Sequence, residues 1–345
     1  MTNRVLAIFF AVFASCSLWA QAGSSGSNID GAGSNTINPL FQAWAKEYAG
    51  LHPEVRISYT SIGSNGGFRV LVSGQAFFGV TDVPISDDQL AQAKGRILQL
   101  PIVVNAVVPV YNLPRVPQLR FSGGTLAGIF LGKITKWNDP AIAKDNPGVD
   151  LPAMDIQVRH AFPNGGTETQ VMAGYLSNVS PTFKAAIANS SANWPLASHS
   201  YKGATGTPGF VSKTPDSFGY LPFVIARAFS REDSLKYAAV KNLDGEFVTA
   251  SPESITAASA SAKIEPPDFR VSLTNAPGKA SYPIASFIWL LMYENPTDKK
   301  QNEAMIGFLK WVLTDGQKVA LKLGYAALPS DLAQMELQQL GTIAR

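Results

Sequence analysis

Apolar positions along the chain switch repeatedly from a short extended run to helical spacing, and a polar, glycine-rich stretch separates the two each time. Asn28-Ile29-Asp30 reads as a short strand and Gly31-Ala32-Gly33-Ser34-Asn35-Thr36 as a loop. A helix is expected from about Pro39 to Gly50, where Leu40, Phe41, Trp44, Ala45 and Tyr48 recur every three or four residues and share one face. The unit returns as the strand at residues 55–59, the loop Ile62-Gly63-Ser64-Asn65-Gly66-Gly67 and a helix from Phe68. A third copy is the strand at 156–160, the loop Pro163-Asn164-Gly165-Gly166-Thr167 and a helix carrying Val171, Met172, Tyr175 and Leu176. Strands alternating with helices predict an α/β architecture with mainly parallel pairing. Residues 284–293 form a mostly apolar run of ten, rich in β-branched and aromatic residues, half the roughly 20 a membrane-spanning helix needs, and read as a buried strand. Ala304, Met305, Phe308, Leu309, Val312 and Leu313 share a helical face near the C-terminus.

Composition narrows the class. The chain has 345 residues, 46% apolar and 15% charged, which suits a globular protein of roughly two domains. A net charge of +3 and the lack of a dense Lys/Arg cluster argue against a nucleic-acid partner. Cys16 is the single cysteine, so no disulfide framework exists, and His52, His160 and His199 lie too far apart in sequence to suggest a metal centre. No cofactor is expected. Residues 1–22 have the form of a signal peptide: Arg4, an apolar run from Val5 to Ala14, and Ala20-Gln21-Ala22 as the cleavage site after Ala22. Lipid attachment at Cys16 is the rival processing route, disfavoured because Phe13 is a poor opening residue for the required motif.

The three loops share a chemistry. A helix start offers unpaired N–H groups and a positive dipole end, while Gly permits close approach and Ser/Thr adds donors. One such junction serves any α/β turn; three in one chain make a small oxyanion the leading ligand. Thr36 stands where a dinucleotide-binding loop needs its third Gly, and no G-x-x-x-x-G-K-[ST] loop exists. Asp82 follows the strand at 78–81, a place that also suits a plain turn residue. Facing an anion, its carboxylate would repel the ligand unless the ligand carried a proton. Phosphate keeps one at neutral pH and sulfate does not, so one Asp could reject the near-isostere.

At these residues the sequence resembles the periplasmic phosphate-binding proteins of ABC-type importers. Gly31-Ala-Gly-Ser-Asn and Ile62-Gly-Ser-Asn-Gly-Gly match two family loops, and Gly79-Val-Thr-Asp-Val-Pro-Ile-Ser-Asp matches the Asp-bearing turn. Leu131-Gly-Lys-Ile-Thr-Lys-Trp-Asn-Asp-Pro-Ala-Ile is the most specific match; Asp150-Leu-Pro, Phe218-Gly-Tyr, Tyr282-Pro-Ile and Gly324-Tyr-Ala-Ala-Leu-Pro follow in family order. The resemblance implies a two-lobed periplasmic-binding-protein fold (type II-like), with hinge strands at 103–111 and 284–293. Lobe I would be 28–106 plus 286–345, lobe II 107–285, and the ligand would sit in the cleft. It further implies phosphate held by Ser34, Asn35, Thr36, Ser64, Asp82, Arg159, Gly165, Gly166 and Thr167. Asn35 and Thr36 stand where the family has Thr then Phe, Gly165 replaces a Ser, and no acid follows Arg159 at the family's spacing. The expected protein is a monomeric, non-enzymatic receptor serving an importer permease, with no integral membrane segment. A secreted phosphatase-like or phosphate-scavenging relative without an importer is the alternative.

Overall fold

The first repeated unit folds as strand β1 (Ser27–Gly33), helix α1 (Asn38–Leu51), strand β2 (Val55–Ser61), helix α2 (Ser64–Val72) and strand β3 (Phe78–Thr81). The structure is a computed structural model describing residues 26–161, 166–188, 200–201, 206–230, 235–264, 266 and 268–343; the expected signal peptide at residues 1–22 and Gly165 lie outside these. α1 buries Leu40, Phe41, Trp44 and Tyr48, the face its spacing predicts. Phe41 stacks on Tyr59 at 4.4 Å between ring centres and on Phe78 at 5.5 Å, which ties α1 to β2 and β3. Trp44, buried by the same packing, donates its Nε1–H to the Gly316 carbonyl at 2.8 Å.

Two glycine runs expected as loops are regular structure. Residues 31–33 continue β1, because ladder bonds to β2 on one side and β3 on the other hold them extended. α2 starts at Ser64, four residues before the expected Phe68. Its first turn lies directly on the sheet: a Cβ at Gly67 would stand 2.6 Å from the Ala32 carbonyl oxygen and 2.7 Å from the Gly33 Cα. The glycine there permits close approach instead of making a turn.

Among the described residues the main sheet has eight strands. β2, β1 and β3 run parallel; the strand Ala285–Tyr293 then lies antiparallel between β3 and the 15-residue strand β4 (Ile97–Tyr111). β4 pairs with Ala285–Tyr293 through Ala106 and with Ser217–Pro222 from Val107 onward. Gln157–Val158 continues the sheet parallel to Ser217–Pro222, and Lys236–Tyr237 also pairs with β4. The α/β class holds, but the pairing is mixed: parallel at both ends and antiparallel where the two long strands cross. The β4 ladder shifts register between Ile288 and Trp289, opposite Pro101, which has no N–H to donate.

Beyond the crossing, Phe218 packs against Phe121, Phe130 and Trp137 at 5.5–5.9 Å. The motif at residues 131–142 is explained by structure. Trp137 is buried and donates to the Asp216 carbonyl at 3.0 Å, and Asp139 caps the helix Pro140–Asp145 by accepting from the Ala141 N–H. At the C-terminal end, helix Lys299–Val312 buries Met305, Phe308, Leu309 and Val312 as expected, with Ala304 partly covered and Leu313 buried just past its end. Helices Asp315–Leu323 and Ser330–Ile343 follow it. Among the described residues no helix is long and apolar enough to cross a membrane.

Candidate anion site

Asp82 sits one residue past β3, and the Ser286 hydroxyl on the facing strand donates to its backbone carbonyl at 2.8 Å. That bond fixes the turn against the crossing strands. The Asp82 side chain is 7% exposed and accepts hydroxyl bonds from three separate segments. Ser34, just past β1, donates to both carboxylate oxygens at 2.7 and 2.8 Å. Ser64, first residue of α2, donates at 3.2 Å, and Thr167, first residue of helix Thr167–Val179, donates at 2.6 Å. Thr167 thereby bridges from the far side of β4 to the β1–β3 side. Burial pushes the Asp82 carboxyl above its ordinary range, and the three hydroxyls oppose that shift by favouring the charged form.

The first loop is held from behind. Tyr59 donates to the Ser34 carbonyl and Tyr325 to the Thr36 carbonyl, each at 2.7 Å. The Thr36 N–H donates to Ser34 Oγ at 3.1 Å, so the hydroxyl that faces Asp82 is itself oriented. Thr36 is buried and borders, with Asp82, a small enclosed cavity.

Four of the anticipated side chains, Ser34, Ser64, Asp82 and Thr167, therefore meet in one cluster. Asn35 does not join it: its side chain is exposed and accepts from the Gly63 N–H at 3.2 Å, tying the first loop to the second. Arg159 follows the strand Gln157–Val158, with its guanidinium 4.0 Å from the centre of the Phe210 ring. Gly166 precedes the Thr167 helix, in contact with the Glu168 carboxyl. Residue-by-residue reading missed Glu168, Asn105 and Ser286, which border the same cavity, and the two tyrosines. Tyr325 belongs to a quoted motif, Gly324-Tyr-Ala-Ala-Leu-Pro, which was the signal that could have found it; Gly324 ends its helix at φ +87° and turns Tyr325 back toward Thr36.

This arrangement of donors from three segments around one buried carboxylate suits an oxyanion that brings a proton. Among known proteins, the chain matches the PBP superfamily domain over residues 20–316. It is 37% identical over 340 residues to the phosphate-binding protein PstS of Pasteurella multocida, covering 97% of this chain and 94% of that one. It is 35% identical over 320 residues to the PstS of Haemophilus influenzae, covering 91% of each. Its fold is shared by solved structures at low identity. A phosphate-binding protein from Stenotrophomonas maltophilia superposes with TM-score 0.69 at 17% identity, covering 90% of this chain and 93% of that one. A putative phosphate ABC transporter substrate-binding protein from Clostridium perfringens, solved with bound phosphate, does so with TM-score 0.62 at 16% identity, covering 88% and 100%. The chain belongs to the PBP superfamily and, within it, to the PstS family of phosphate-binding proteins.

Proposed function

We propose that this protein is a receptor, not an enzyme, that binds inorganic phosphate in the cleft between two lobes and delivers it to the permease of an ABC-type importer. The observation that carries the reading is the Asp82 carboxylate, buried and reached by the Ser34, Ser64 and Thr167 hydroxyls from one strand end and two helix starts. With phosphate present, the hydroxyls and the helix N–H groups turn to the anion's oxygens while Asp82 accepts its proton. Thr36, Gly166 and the backbone at Asn35 complete the cradle, and Arg159 balances charge from the second lobe. The partner exchange of β4 between Ala106 and Val107 supports lobes of 28–106 plus 286–345 and of 107–285. A monomer released outside the cytoplasmic membrane after cleavage behind Ala22 fits this role, and the mass of the exported chain checks the cut.

Calorimetric titration of the mature protein with phosphate, sulfate and a phosphomonoester tests the reading. One phosphate per chain is expected, with a Kd of about 1 μM or tighter, roughly −8 kcal/mol, and without added metal. No heat and no thermal shift at millimolar phosphate would end it. Steady turnover of the phosphomonoester would favour a hydrolase instead.

A further inference from the structure

The residue after Thr167 adds a second acid to the site. Glu168 folds its carboxyl back over the helix start, where a Cβ at Gly166 would collide with both its oxygens, and it accepts from its own backbone N–H. Glycine at 166 leaves the room for that fold. The carboxyl borders the same small cavity as Asp82, together with Thr36, Asn105 and Ser286. Asn105, on β4, is 7% exposed, and its Oδ1 has no hydrogen-bond partner among the described residues. A buried acceptor left in that state matches a site whose occupant brings a proton. An acid in the first turn of an exposed helix simply complements the dipole and stays ionised. Glu168 differs: burial first, and the nearby Asp82 charge second, push its carboxyl up to about 7.

Asp82 is the charged group acting on Glu168 among the described residues. β4 brings Asn105 to the cavity and the Ala285–Tyr293 strand brings Ser286. The Ser217–Pro222 strand brings Tyr220, whose hydroxyl is bonded to Thr169 at 2.8 Å, and helix Gly123–Phe130 carries no charge. The Arg159 guanidinium lies over Phe210.

We propose that Glu168 is a proton-bearing partner of the bound oxyanion, donating a hydrogen bond from its protonated carboxyl where the ionised form would repel the ligand, so that anion binding and protonation of Glu168 are linked. The inference rests on the phosphate reading above and adds a specificity-determining group on the second lobe. The proton stays on the carboxyl; no bond is broken.

The experiment is phosphate titration of the wild type and of Glu168→Gln at pH 6, 7 and 8, each in two buffers of different ionisation enthalpy. Phosphate's own ionisation near neutral pH contributes equally to both proteins, so the difference between them isolates Glu168. A carboxyl titrating at about 7 when free and protonated when bound lowers affinity about tenfold between pH 6 and pH 8. The wild type should therefore lose about tenfold more affinity over that interval than Glu168→Gln, whose amide is neutral throughout. At pH 7.5 wild-type binding should take up about three-quarters of a proton beyond phosphate's own titration. That second readout needs no variant, so its absence refutes the inference even if Glu168→Gln fails to fold. Identical pH profiles, or no excess proton uptake by the wild type, would overturn the inference and leave the phosphate reading standing. A wild type that binds no phosphate at any pH would overturn both.

Discussion

Replacing Asp82 by Asn removes one charge and keeps the shape, which makes it the sharpest probe of how the site chooses its ligand. In the wild type the carboxylate can satisfy a proton offered by phosphate, whereas sulfate offers none and would leave a buried acceptor facing a like charge. An unsatisfied buried group costs about 1–3 kcal/mol, more when charged. At about 1.4 kcal/mol per decade, this is roughly a 5- to 150-fold discrimination from one residue. The amide can turn its Nδ2 toward a sulfate oxygen, so Asp82→Asn should narrow the phosphate/sulfate ratio by about tenfold or more. The assay is paired calorimetric titration with the two anions at pH 8, where sulfate and phosphate are both mainly dianionic. Thermal unfolding of the unliganded proteins is the control, and its sign is set. Burial holds the Asp82 carboxyl above its unfolded value, so the neutral form suits the fold better. Stability from that neutral form is fully present below the unfolded value and fades as pH rises through the folded one. The amide stays neutral, so the variant's Tm should vary less with pH than the wild type's. An unchanged phosphate/sulfate ratio in a folded variant would refute the reasoning and leave Asp82 as a residue that merely holds three hydroxyls in place.

Two further substitutions probe packing. Gly67→Ala forces a methyl onto the Ala32 and Val80 carbonyl oxygens at 2.6 and 3.0 Å, so it should cost about 1–3 kcal/mol in a denaturant melt and weaken phosphate binding by moving Ser64. Unaltered stability and affinity would mean that α2 has slack the packing does not show. Glu336 is fully buried in helix Ser330–Ile343 with neither carboxyl oxygen bonded among the described residues, and burial pushes it well above its ordinary range. Its neutral form is fully compatible with the fold below the unfolded carboxyl value near 4.5, and stability is lost as pH rises from there toward the folded value. Glu336→Leu should accordingly raise Tm more at pH 8 than at pH 5, by the equivalent of roughly 1–3 kcal/mol, and an equal or negative shift at pH 8 would contradict this.

Helical faces were legible because burial follows period: the spacing of Leu40, Phe41, Trp44 and Tyr48 requires one covered side. Element boundaries were less legible where glycine has two uses. Gly66 and Gly67 read as loop because glycine suits turns, yet both lie in α2, and Gly67 lets that helix touch the sheet. Ser34, Ser64, Asp82 and Thr167 could be found because each ends a strand or starts a helix, where a short polar side chain has few local duties. The rest of the cluster depends on contacts distant in sequence. Asn105 stands in an apolar strand and Glu168 in a helix's first turn, both ordinary places for their types, and only tertiary packing puts them beside Asp82. The directions of Asn35 and Arg159 were likewise unreadable, since Gly63 and Phe210 claim them across 28 and 51 residues of chain.

The strand Ala285–Tyr293, wedged between β3 and β4, has a consequence for how the molecule is made. Its two neighbours finish at Thr81 and Tyr111, yet neither can complete its ladder until about four-fifths of the chain has been synthesised. Pairings this distant in sequence form late, because the loop must close before the contacts reward it. A nascent chain that carries an export signal gains from that delay. On the proposed export route the amino-terminal half would stay unfinished, and so threadable through a narrow translocation channel, while residues 1–22 serve as leader. The last strand to arrive is also the one whose Ser286 bonds the Asp82 turn. The candidate anion site is thus completed only after nearly the whole chain has been synthesised.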